Sequence, residues 1–518
     1  MTVYYVNSST GSDNNVGTSE GSAFASLSAV EGIKLQPGDS VLLAAGSVFN
    51  EQFDLKYSGT TVAPITVGMY GLGEAPVIQS SGDGIHGSKA SNIIVENIKI
   101  AFTGGNAIYA GNVSNWVVRN VEVSDTGLAG RAGSISFQSS QNIAIVNTRV
   151  EGTNGDGIWM EKVSGITLLN NTVLNSHGAA ADAIQLNDSS GILIAGNHLQ
   201  QTETNSAKGV LVLVRADNAV VVDNTLIGGG FGLSAQAGNN IAIHGNDISG
   251  FGGYSWSYGI GLGDQGDARN YDISGNHIHD GAWGVSISAA GYPDYLRENI
   301  NVHANVFDGL SGAAIKVDRS ASGSFHDNVV EAGVTLTKVS TAVAVEDTFA
   351  FGDNRTVPGP QDGGNTPDHA GNGPDAVPTP QTPQPVPDNG PAPVATHPVP
   401  KIVAVHDTLT IATDTGAAYH GNLLDNDVSA NGNVFLRRFG EAAVDKNGLT
   451  IMGKYGVIHI ELDGGYTYSV DTHKLAGLSG RVSESFQYKI SDGASHIDTD
   501  TLAISINVDA FHGSHLLG

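Results

Sequence analysis

The 518-residue chain has no cysteine, so neither disulfides nor thiolate chemistry is open to it. Cations are scarce. Lys and Arg total 24 against 51 Asp and Glu, a formal net charge of −27. That balance argues against nucleic acid as a partner. An anionic ligand would have to meet locally gathered cations or a bound metal, while the acidic surface favours solubility. No apolar run approaches the roughly 18 residues that would mark a spanning helix, so no membrane insertion is expected. A basic-then-apolar leader is also missing at the start, where Thr2-Val3-Tyr4-Tyr5-Val6 reads as a strand. Secretion to the extracellular space is an expectation, with either a start that has been trimmed away or a C-terminal-signal route.

Abundant instead are glycine, 69 in all, and asparagine at a regular interval. Asn97, Asn120, Asn147, Asn171, Asn197, Asn224, Asn246, Asn276, Asn305, Asn328 and Asn354 share one frame, an apolar run closed by Asn, as in Ile194-Ala195-Gly196-Asn197. Spacings between 22 (224 to 246) and 30 (246 to 276) residues mark a solenoid with one coil per repeat. Stacked coils would place each amide between the turns above and below, satisfying buried polar groups. The expected fold is all-β, a right-handed parallel β-helix with an Asn ladder, followed by a smaller β-sandwich domain.

Composition divides the chain. Residues 1–80 read as an N-terminal cap and first coils, with Ala23 to Ile33 spaced as a helix that closes the open end. Residues 81–356 are the β-helix. Residues 357–400 carry 13 of the 17 prolines and read as a linker. Residues 401–510 alternate as strands, and 511–518 form a tail. Asp425, Asp427 and Asp492 lie in turns of the second domain, as turn formers or calcium ligands.

Each coil opens with a motif like Asp156-Gly157-Ile158, whose third residue points inward and whose alternate neighbours point outward. Aligning Asp156, Asp182 and Lys208 gives two spacings of 26 and a column of groups on adjacent rungs. Trp159, Glu161, Gln185 and Asn187 follow on the outward side, Asp188 begins the next turn, Arg215 follows Lys208, and His177 precedes Asp182. Elsewhere the outward positions look poor (Ser136, Ser234, Gly261, Ser286), and Asp83 opens the same frame with no cluster of its own.

The mixture suits β-elimination from a uronate. Calcium on Asp156, Glu161 and Asp182 would neutralise the substrate carboxylate. Lys208 or Arg215 would be the base, on condition that neighbouring cations or metal destabilise its charge. His177 or Tyr258 would protonate the leaving oxygen. The same Asp pair could instead serve hydrolysis, or Asp could stand before Gly simply as a turn residue. Tyr254, Trp256 and Tyr258 offer rings for stacking on sugars, with Tyr292 and Tyr295 in the next insertion. Asp264, Asp267 and Arg269 line the same wall, and Lys316, Asp318 and Arg319 suggest a distal subsite.

With its Asn column, the segment 1–356 resembles the pectate-lyase-like superfamily of β-helices, which includes lyases, hydrolases, epimerases and phage tailspikes. Asn422-Leu423-Leu424-Asp425-Asn426-Asp427, Gly465-Tyr466-Thr467-Tyr468 and Phe486 to Gly493 resemble VCBS/cadherin-like repeats. The combination looks like the secreted exopolysaccharide-degrading enzymes of rhizobia and sphingomonads. What that resemblance implies is an acidic exopolysaccharide as substrate; with the residues above, an extracellular enzyme acting by elimination is the first expectation, by hydrolysis the second, and a non-catalytic polysaccharide-binding or matrix protein the third, and a monomer is expected. No Tyr-Gly-Phe-Asp-Pro-His motif and no Gly-Gly-x-Gly-x-Asp array occur, which weakens an epimerase reading and a calcium-roll tail.

Overall fold

The computed structural model describes residues 1–128, 135–178, 181–202, 209–263, 265–288, 295–318, 321–339 and 349–357, and most of 402–508. The proline-rich linker from 358 onward and the tail lie outside these residues. The first part is a parallel β-solenoid of about 11 turns. Each coil crosses three parallel sheets, which have 14, 13 and 12 strands among the described residues and are here called sheets I, II and III. In one coil, Ile158–Glu161 lies in sheet III, Ser164–Leu169 in sheet I and Thr172–Leu174 in sheet II, and Ile184–Asn187 returns to sheet III.

Alternation explains the strands. Ile158 and Met160 are buried while Trp159 and Glu161 face out. Register then stacks like on like. Ile135, Ile158, Ile184, Leu211, Leu233, Ile260, Val285 and Ile315 form one inward column of sheet III, each fully buried. Each such side chain contributes roughly 2 kcal/mol of apolar burial. At the N-terminal end the helix Leu27–Glu31, capped by Ser26, buries Leu27 and Val30 in the same core.

The Asn column is two columns. From Asn171 to Asn354 the side chains are in the turn between sheets I and II, and those from 171 to 328 are at most 1 % exposed. Asn224 Oδ1 accepts from the backbone N–H of Asn197 at 2.9 Å and from its Nδ2 at 2.8 Å, and Asn197 Nδ2 also donates to Leu168 O at 2.9 Å. Thr148 begins this column, its N–H donating to Asn171 Oδ1 at 3.0 Å. Asn97, Asn120 and Asn147 stand one position earlier, at φ 54°, 53° and 48°, the place Asn170 occupies at φ 51°. The expectation of a single ladder is therefore corrected. Asn is favoured at both neighbouring positions, by left-handed backbone at one and by amide stacking at the other. A further Asn column, not foreseen, lies in the turn between sheets III and I, where Asn115 Nδ2 donates to Asn92 Oδ1 at 2.8 Å and Asn142 Nδ2 to Asn115 Oδ1 at 2.9 Å.

The C-terminal part has its own core, including Leu436, Phe439, Ile458, Tyr468, Ile490 and Ile504. Its larger sheet contains Arg481–Ser491 paired antiparallel with Ile497–Asn507; its smaller contains Leu449–Met452, Gly456–Ile460 and Gly465–Val470. Asp427 is buried and accepts from the Tyr488 hydroxyl at 3.0 Å, a core contact where a calcium ligand had been considered; Asp425 and Asp492 lie outside the described residues. Burial, then the nearby carboxylates, push the Tyr488 phenol far above its ordinary range. Arg119 on the outer face of sheet I pairs with Glu96 (Nε–Oε2 2.8 Å) and with Asp500 of this domain.

Candidate functional site on the outer face of sheet III

The strand heads of sheet III form a column, and its register corrects the alignment made from sequence. Ile184 pairs with Leu211, so Gly209 stands level with Asp182. Lys208 is one position out of register and lies outside the described residues. The column runs Asp83, Asn106, position 133 (outside the described residues), Asp156, Asp182, Gly209, Phe231, Tyr258, Trp283.

Its acids cap the backbone of the next coil. Asp83 Oδ1 accepts from Asn106 N at 2.8 Å, Asp156 Oδ1 from Asp182 N at 2.7 Å and Asp182 Oδ1 from Gly209 N at 2.8 Å. Asp156 and Asp182 are 7 % and 8 % exposed, too covered for a substrate to reach easily. Glu161 lies at the other end of its strand, five residues from Asp156, about 16 Å along an extended chain. The calcium set Asp156, Glu161 and Asp182 is thus not brought together. Tyr258 is three rungs from Asp182, about 14 Å, and its hydroxyl donates to Ser234 Oγ at 3.1 Å. His177 is half-buried in the loop preceding Asp182, its N–H donating to Thr153 O at 2.6 Å.

Two outward columns follow the strand heads. One runs His86, Tyr109, Ser136, Trp159, Gln185, Val212, Ser234, and the other Gln138, Glu161, Asn187, Val214. Across the first coils they form a linked polar strip. Tyr109 Oη donates to Gln138 Oε1 at 3.2 Å, Gln138 Nε2 donates to Glu161 Oε2 at 2.7 Å, and Lys162 Nζ lies 3.3 Å from Glu161 Oε1. His86 Nδ1 sits 3.0 Å from Asp83 Oδ2, with its ring 5.4 Å from that of Tyr109. Gln185 Nε2 donates to Asn187 Oδ1 at 3.0 Å. The donated bonds from Gln138 and then Lys162 hold the Glu161 carboxyl below its ordinary value, so it stays an anion. Asp83 therefore does have a cluster, and His86, Tyr109 and Gln138 were missed. Comparing coils within the aligned frame hid a partner three residues on in the same coil (Asp83 to His86) and one that sits diagonally on the next rung (Tyr109 to Gln138).

Arg215 does not meet its condition as a base. Its guanidinium forms a fork on Asp188 (Nη2–Oδ2 2.9 Å), and Asp188 and Glu161 raise its pKa instead of lowering it. Asp188 is correspondingly lowered by the same bond. An always-charged guanidinium suits binding a carboxylate, not taking a proton.

The later coils replace acid with aromatic rings. Phe231 and Tyr258 stack at 5.3 Å, Tyr254 and Trp256 at 4.8 Å, and Trp256 lies 6.2 Å from Phe231. Tyr254 and Trp256 remain 37 % and 41 % exposed. Lys316 Nζ lies 5.3 Å from the Trp283 ring centroid and 2.6 Å from Asp318. Arg319, Asp264 and Tyr292 lie outside the described residues. Arg269 belongs to sheet I, where it lines a shallow depression of about 480 Å³ with Arg215, Asp217, Asp267 and Tyr295. It contacts Asp267 at 3.1 Å and Glu298 at 3.5 Å.

Three family models match parts of the chain: "Periplasmic copper-binding protein (NosD)" over 70–251, "Right handed beta helix region" over 175–330 and "Bacterial Ig domain" over 396–505. The calcium-binding lectin RapA2 of Rhizobium johnstonii is 40 % identical over 113 residues, 20 % of this chain and 46 % of the lectin. A lacto-N-biosidase of Bifidobacterium longum subsp. longum is 48 % identical over 87 residues, 16 % of this chain and 5 % of the enzyme. The chain thus spans less than half the length of either relative. Among solved structures, a GH136 lacto-N-biosidase from Eubacterium ramulus is similar at 17 % identity and TM-score 0.43, over 68 % of each chain.

Proposed function

We propose that the protein is an exported polysaccharide-active enzyme, and that an acidic glycan lies along the outer face of sheet III. One observation carries this reading: the bonded strip Tyr109–Gln138–Glu161–Lys162, with an oriented His86 at one end and exposed rings at the other. The relatives named as a lectin and a biosidase support it.

The reaction we favour is β-elimination. It removes the proton on the carbon bearing the uronate carboxylate, forms a carbon–carbon double bond and expels the glycosidic oxygen from the adjacent carbon. Asp83 on His86 Nδ1 favours the tautomer whose Nε2 accepts a proton. The Tyr109 hydroxyl, near that ring, would protonate the leaving oxygen. Lys162 and Arg215, with the amides of Gln138, Gln185 and Asn187, would face the uronate carboxylate. Trp159, Tyr254 and Trp256 would stack on the sugar rings.

A second reading rests on Glu161. A carboxylate held ionised beside a glycan face suits the nucleophile or base of a glycoside hydrolase. Digesting a panel of acidic polysaccharides separates the readings. Ultraviolet absorbance of unsaturated uronate, lost in His86→Ala and Tyr109→Phe, is expected. New reducing ends without that absorbance would move the reaction to Glu161 hydrolysis. Retained binding with no cleavage of any polymer would make this a binding protein.

A further inference from the structure

Sheet II carries a second cluster, on a different face from the glycan strip. Register places Asp247 beside His277 on consecutive rungs, and His279 and Asp308 occupy the neighbouring outward positions. His279 Nε2 lies 2.9 Å and His277 Nδ1 3.5 Å from Asp247 Oδ1. The two imidazole rings stack at 4.1 Å. Ligand atoms of all three residues fall within 4.8 Å of one another, the one such group of three among the described residues.

The remote nitrogens matter as much. His277 Nε2 lies 2.7 Å from Asp308 Oδ2, and His279 Nδ1 lies 2.7 Å from Asp280 Oδ2. Each ring is therefore held by an outer carboxylate so that its other nitrogen points at Asp247. A neutral imidazole has one proton. Given to the outer carboxylate, that proton leaves a lone pair facing the Asp247 oxygen. Two lone pairs and a carboxylate converging on one point call for a cation between them. Outer carboxylates on histidine ligands are the usual support of a bound metal.

We propose that Asp247, His277 and His279 bind a divalent transition-metal ion such as Zn2+ or Cu2+, clamping two consecutive coils of the β-helix. Ligand separations around tetrahedral zinc are about 3.4 Å, between the two distances to Asp247. Two imidazoles with one carboxylate select this class over calcium, which prefers oxygen alone. Asp247 is 51 % exposed and His277 44 %, so an ion can enter, and a fourth position faces solvent. The NosD match ends at residue 251, before either histidine, and plays no part in the inference.

Isothermal titration of the full chain, purified through chelator, tests it with Zn2+ and separately with Ca2+. The wild type is expected to take up one equivalent of Zn2+ that Ca2+ does not displace. The double variant His277→Gln/His279→Gln should lose that equivalent, while His303→Gln, in a His–Asp group on sheet I (His303 Nε2–Asp272 Oδ1 2.9 Å), should keep it. Circular dichroism verifies the folds. Should the double variant misfold, Cu2+ electron paramagnetic resonance of the wild type replaces it, with coupling to two imidazole nitrogens expected. No zinc uptake by the wild type, uptake unchanged in the folded double variant, or a copper spectrum without nitrogen coupling would overturn the site.

Discussion

The two halves of sheet III's outer face share one backbone path and differ at the strand head. Among the described residues, the position holds Asp83, Asn106, Asp156 and Asp182 in the first half and Phe231, Tyr258, Trp283 and then Ala313 in the second, with Gly209 between. A short carboxylate turns back to cap the next coil's N–H. A ring cannot, so it lies across the face and stacks on its successor. In both halves the strand head builds the solenoid. Chemistry is left to the outward columns that follow, polar and bonded to one another in the first half, and apolar or small in the second from Val212 to Ser286 before Lys316. An aspartate at a motif's start is therefore a weaker sign of catalysis than the same charge two or more residues later.

Gly209 is where the contrast breaks most sharply. A Cβ there would lie 1.9 Å from Phe231 Cε2, and that ring is held against Tyr258 at 5.3 Å with Trp256 at 6.2 Å. Gly209→Ala should cost about 3 kcal/mol in chemical denaturation and displace the rings, weakening glycan binding. A variant as stable as the wild type would show that the stack yields freely and does not depend on glycine at the junction.

Asp182 gives a smaller effect and sharpens the comparison. Asp182→Ala leaves the buried Gly209 N–H without its 2.8 Å acceptor, a loss of about 1–3 kcal/mol. Asp182→Asn keeps an acceptor oxygen at that place and should keep both stability and activity. Activity lost in the folded Asn variant would return the strand-head acids to the catalytic role first expected of them.

Much of this architecture was legible in the sequence. The Asn interval announced the coils, and the Ile158/Trp159/Met160/Glu161 alternation gave the correct faces. What failed was register by one residue. Asn147 and Asn171 look equivalent because neighbouring turn positions both favour Asn, and Asn170-Asn171 fills both. Lys208 was aligned by its even spacing from Asp182, yet pairing across sheet III makes Gly209 the equivalent residue. Spacing counts residues along the chain, whereas pairing counts rungs, and a loop of variable length separates the two. The Tyr109–Gln138 contact is diagonal across one rung and Gln138–Glu161 lies directly across the next, so both appear only once pairing is known, whereas His86–Asp83 is a contact three residues apart within one coil.

Glu161 provides the smallest and most specific effect. Its folded pKa is lowered, first by the Gln138 amide and then by Lys162, which outweigh the opposing effect of burial. A depressed carboxylate stabilises the fold above its unfolded pKa of about 4.3, and that contribution disappears as pH falls through the lower folded value. The group is partly exposed, so screening limits the gain to about 0.5 kcal/mol. Wild type should therefore melt slightly above Glu161→Gln at pH 7, with the gap closing in acid. The pH profile of cleavage supplies the functional half. If Glu161 only holds Gln138 in place, the Gln variant should retain most of kcat while KM rises; if it is a hydrolytic nucleophile, kcat should collapse at every pH. Equal melting at pH 7 and pH 3 would remove the carboxylate's bonded role, and with it the reason to treat the strip from Tyr109 to Lys162 as one unit.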